Sequence, residues 1–80
     1  MVFKREVDTS NPRDRALLVA LSEGSGVSVS ALEYTLHALC VFADEALENG
    51  AKLYVKNSNT LTPDEIEAIV DIGKKYVALL

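Results

Sequence analysis

His37 and Cys40 are the residues most readily turned to chemistry, and they stand three apart. On a helix that spacing makes them neighbours. A thiol beside an imidazole is the start of a nucleophile–base pair or of a metal site. Nucleophilic catalysis also needs a third group to orient the base and donors for the oxyanion. Zinc needs three or four protein ligands. The chain has no second histidine or cysteine, so the expectation is a thiol in the core and a histidine on a polar seam. Asp44, Glu45 and Glu48 could form a carboxylate pair, but at spacings of three and four such groups repel mildly and make a solvated face, and no calcium-loop pattern accompanies them. Gly24-Ser25-Gly26 ahead of a helix could cradle a phosphate, yet the longer glycine frame and following lysine of a phosphate loop are absent. Tyr54 between Lys52 and Lys56 could stack a base; flanking lysines also guard an open sheet edge. The chain is therefore expected not to be an enzyme, with no catalytic residue, no cofactor and no metal.

The elements that would carry these residues are legible from caps and periodicity. Val2–Val7 reads as a strand, with Phe3 and Val7 on one face and Arg5 between them. Asn11-Pro12 caps a helix over 12–23, with Asp14 placed to favour the positive helix end. Ser30-Ala31-Leu32-Glu33 is a capping box opening a helix over 30–49 that stops at Asn49-Gly50. Ala51–Lys56 alternates Leu53 and Val55 against Lys52, Tyr54 and Lys56, which predicts a strand with one wet face. It should pair with Val2–Val7, because a lone strand leaves its backbone unsatisfied. Thr62-Pro63-Asp64-Glu65 is a second capping box, opening a helix over 62–79. The expected fold is a single α+β domain over 1–80, mainly helical, in the order β-α-α-β-α with a two-stranded sheet.

The helix over 30–49 is apolar around most of its circumference; only Glu33, His37, Asp44 and Glu48 make a polar seam. A surface helix normally has a broad polar face. Eighty residues bury too little surface for easy stability, and one cysteine allows no internal disulfide. The excess apolar surface predicts a homodimer, with Tyr34, Val41 and Phe42 facing the partner. A further protein partner is compatible with the same surface.

The net charge is −4, and the acids dominate beyond residue 30. All arginines lie near the N-terminus, so a nucleic-acid contact would have to use that end. The longest apolar runs, Ala16–Leu21 and Ala38–Ala43, are six residues each, well short of the ~20 a membrane span needs. With no signal-like segment and a lone thiol, the expectation is a soluble, cytoplasmic protein without a membrane contact.

One resemblance bears on function. VFKREV, a helix, and then Gly26-Val27-Ser28-Val29-Ser30 opening a second helix is similar to the ribbon-helix-helix DNA-binding proteins, over about Met1–Leu47. The resemblance implies a DNA-binding repressor or antitoxin whose N-terminal strands pair between two chains and enter the major groove, with Lys4, Arg5 and Glu6 as the nucleic-acid-binding residues. It is the alternative to a small non-enzymatic interaction or regulatory protein.

Overall fold

The computed structural model describes residues 3–80. Its elements are α1 (Pro12–Ser22), β1 (Val27–Ser30), α2 (Leu36–Asn49), β2 (Leu53–Lys56), α3 (Pro63–Gly73) and β3 (Val77–Leu79). The mainly helical α+β class and its three helices are as the sequence predicts. The small sheet differs in membership. It has three parallel strands in the order β1-β2-β3, and the N-terminal segment is not one of them.

Local caps explain the helices. The Asn11 side chain accepts from the Arg13 and Asp14 amides at the start of α1. Gly50, at φ 64°, closes α2 in the left-handed conformation that glycine adopts without a Cβ penalty. The Thr62–Glu65 box is reciprocal, with Glu65 N–H on Thr62 Oγ1 at 3.2 Å and Thr62 N–H on Glu65 Oε1 at 2.8 Å.

Three expectations are corrected. The helix predicted over 30–49 starts at Leu36, and the unassigned residues just before its expected start, with Ser30 itself, form a strand: Val27 and Val29 are buried and Ser28 exposed, a period of two that the nearby capping-box pattern obscures. Ser30 makes only one turn, its carbonyl accepting from Glu33 and Tyr34 N–H. The helix cannot run through that turn, because Glu33 C=O and Thr35 N–H bond to the Arg5 backbone instead. Thr35 is the true cap, its hydroxyl accepting from Ala38 N–H. The predicted pairing of 2–7 with 51–56 is replaced by parallel pairing of β2 with β1 and β3; Arg5 makes a single bridge to Tyr34. Met1 and Val2 of that expected strand lie outside the described residues. The last helix ends at Gly73, followed by a 3-10 turn over Lys74–Tyr76, with Lys74 at φ 56°, and then β3.

The result is a plate of two layers, 30 × 28 × 17 Å. α2 lies between α1 and α3 and packs on both, while α1 touches β1 and α3 touches β3. Leu21, Leu39, Phe42, Ala43, Leu53, Val55 and Ile69 fill the space between layers. Leu32 and Val70, apolar as they are, stay exposed. No helix of the structure is long and apolar enough to cross a membrane.

Gly73 sits where α3 meets α2 and β3. A Cβ built there would fall 2.2 Å from Val77 Cγ2 and 3.1 Å from Ala43 Cβ. Gly73→Ala is therefore expected to destabilise the fold by about 1–3 kcal/mol through overpacking, read as a lower urea midpoint, despite alanine's better helix propensity.

Candidate functional site

Arg5 and Asp14 place the site. The Asp14 side chain is fully buried, and its oxygens accept from both Arg5 terminal nitrogens, at 2.5 and 2.7 Å. Tyr34 Oη donates to Asp14 Oδ1 at 2.5 Å, and the Asp8 amide donates to Oδ2 at 3.0 Å. Arg5 also reaches Glu33 Oε2 at 3.0 Å, where Arg13 joins it, and its guanidinium stands 4.8 Å from the centroid of the Tyr34 ring. Burial alone would raise the Asp14 pKa; the bonds from Arg5, Tyr34 and the Asp8 amide outweigh it and hold the carboxyl at about 2. Burial, then the bond to Asp14, pushes the Tyr34 phenol up to about 12. Asp14 and Tyr34 are thus both fixed in one protonation state at neutral pH. With all its acceptors occupied, the Asp14 carboxylate ties the cluster together as a structural clamp.

The clamp ties residues 5–8 to the start of α1 and to the turn before α2. That sets the next side chain, Glu6, on the opposite side of the segment. Thr35 Oγ1 donates to Glu6 Oε2 at 2.6 Å, and His37 Nδ1 lies 2.8 Å from Oε1. The Thr35 hydroxyl, then His37, holds the Glu6 carboxyl below its ordinary range. Beyond them opens a groove of about 360 Å³ lined by Glu6, Val7, Thr9, Leu18, His37, Val41 and Glu45. That volume lies within the ~300–1,000 Å³ of small-ligand sites. Its floor is Val7, Leu18 and Val41; its rim carries two carboxylates and one imidazole, and no lysine or arginine lines it.

Of the expected partner-facing residues, only Val41 lines this groove. Tyr34 and Phe42 are fully buried in their own chain, their rings edge-to-face at 5.1 Å. They are corrected to core residues: α2 is flanked by a helix on each side, so its wide apolar surface is used internally. His37 pairs with Glu6 and is largely exposed, while burial raises the half-buried Cys40 thiol above its ordinary pKa. Gly24-Ser25-Gly26 leads into a strand, not a helix N-terminus. Among the described residues, no three His, Cys, Asp or Glu side chains are grouped to hold a metal ion.

The structure departs from the ribbon-helix-helix resemblance at the residues that carry it. Val27–Ser30 is a parallel strand, where that family has a turn into a helix. Lys4 is exposed, but Arg5 is committed to Asp14 and Glu6 to Thr35 and His37. Sequence reasoning missed the clamp, because the only local signal was Asp14 in a first turn, where a carboxylate is ordinary. Comparisons with family models, with curated proteins and with solved structures each find no match.

Because its carboxyl is depressed on folding, Asp14 contributes stability that is complete above the unfolded value near 3.8 and vanishes as pH falls through about 2. Asp14→Asn is expected to cost about 3 kcal/mol at pH 7, the usual loss on breaking a buried ion pair from one side. In urea titrations its deficit against the unaltered chain should shrink between pH 4 and pH 2 by roughly 2 kcal/mol. A deficit that stays constant across that range would refute the assignment.

Proposed function

We propose that this chain is a small, non-enzymatic interaction protein of the cytoplasm that docks a basic, apolar-anchored segment of another protein in the groove between residues 6–9, α1 and α2. The observation that supports this reading is the groove's chemistry: an apolar floor of Val7, Leu18 and Val41 beneath the Glu6 and Glu45 carboxylates. An aliphatic or aromatic anchor would bury on the floor, and lysines or arginines beside it would meet the rim. The Thr35 and His37 contacts hold Glu6 in place before binding, which lowers the ordering cost of association. Apolar burial supplies affinity, and the charged rim supplies orientation and on-rate.

Peptides selected from a random library against the intact chain should carry an aliphatic or aromatic residue flanked by Lys or Arg. Amide shifts on titration should map to Val7, Leu18 and Val41. Val41→Asp should weaken binding at least tenfold, about 1.4 kcal/mol, with the fold retained. Selection of acidic peptides, or binding indifferent to Val41→Asp, would reject the reading.

A further inference from the structure

β1 and β3 bound the sheet, so each keeps one side of its backbone free of a neighbouring strand. At β3 that side is left without the usual protections. The Leu80 amide donates to Val55 O. By the alternation of a ladder, the Leu79 N–H and the carbonyls of Val77 and Leu79 therefore point away from β2. The Val77 N–H is already taken by the Lys74 carbonyl. Edge strands are commonly guarded by charge or proline, and Val77-Ala78-Leu79-Leu80 has neither. Leu79 is 37% exposed, Leu80 64%, and Val70, on the helix covering this strand, 37%.

We propose that β3 pairs antiparallel with β3 of a second copy about a two-fold axis, joining the two sheets into one of six strands. Leu79 N–H would donate to the Val77 carbonyl across the axis, with Leu79 buried beside it. Charge placement selects this occupant and this direction. α3 crosses between two parallel strands, so it begins at the C-terminal end of β3 and finishes at its start. Along α3, Asp64, Glu65 and Glu67 lie toward one end, where Lys4 is close enough to act on Glu65; Lys74 and Lys75 follow the other end, with Asp71 the one α3 acid near them. Antiparallel pairing sets the lysines of each copy against the acids of the other, whereas parallel pairing opposes like charges. A second copy supplies that reversed gradient by symmetry. The whole molecule measures 30 × 28 × 17 Å, so a contact along this side can bury at most on the order of 500 Å² per copy, below the ~800 Å² of a standard interface, and the dimer expected is a weak one.

Sedimentation equilibrium of the intact chain from about 1 µM to 1 mM should show a monomer–dimer equilibrium that weakens with salt. Leu79→Lys should raise Kd at least tenfold. Lys74→Glu with Lys75→Glu should raise it as well, and adding Glu67→Lys to that pair should recover part of the loss. In the unaltered protein, exchange of the Leu79 amide should slow with concentration, a readout that needs no variant. Val41→Asp should leave dimerisation unchanged, which separates this surface from the groove. A chain monomeric at 1 mM overturns the proposal, as does a dimer indifferent to Leu79→Lys whose Leu79 exchange is independent of concentration.

Discussion

A carboxylate taken fully out of water costs several kcal/mol unless its oxygens are met, and the fold is organised around meeting those of Asp14. The Arg5 fork and the Asp8 amide come from one segment and the Tyr34 hydroxyl from another, twenty residues beyond Asp14, and all converge on one side chain. An apolar residue at 14 could be stable without fixing where residues 5–8 run. The bidentate fork fixes it, because a planar guanidinium satisfies a carboxylate in few orientations. With Arg5 directed inward, Glu6 falls outward beside Thr35 and His37, and Val7 and Thr9 are brought to line the groove. The groove is a consequence of the buried pair.

The same clamp decides where α2 begins. A chain reading Ser30-Ala31-Leu32-Glu33 has every local reason to start a helix there. Helix nucleation is costly, however, and the Arg5 backbone bonds to Glu33 and Thr35 compete for the groups the first turn needs. Thr35 then offers a second cap one turn later. Ser30, released from the helix, joins Val27–Val29 in a parallel ladder with β2.

How much was legible follows from this. The caps at Asn11, Gly50 and Thr62, and the alternation of 51–56, are local signals, and the structure keeps them. The strands at Val27–Ser30 and Val77–Leu79 are four and three residues long, too short for periodicity to compete with a neighbouring helical pattern. Gly73 fits a helical apolar stripe and also ends the helix, and only the contact with Val77 and Ala43 distinguishes the two roles. The groove was half visible. Val41 is legible as an outward apolar position, but Glu6, Val7 and Leu18 join it only through the clamp. Tyr34 and Phe42 were misplaced because helix flanked by helix on both sides looks, in one dimension, like helix with surface to spare.

The clear alternation of β2 reflects a feature unusual for a parallel sheet. Such sheets are normally covered on both faces and read as continuous apolar runs. Here the helices lie on one face, and Ser28, Lys52, Tyr54 and Lys56 meet water on the other. A sheet with one wet face grows more readily at its edges than by stacking, since its open face has little apolar area to bury. The groove lies at the α1 end of the plate and β3 at the opposite end, because α1 touches β1 and α3 touches β3. Pairing through β3 would therefore leave both grooves open, at the far ends of one continuous sheet. Two weak docking sites held at a fixed separation bind a bivalent target far more tightly than either alone, provided the target spans them. On that geometry, shallow grooves and a modest dimer contact would together suffice for the capture proposed above.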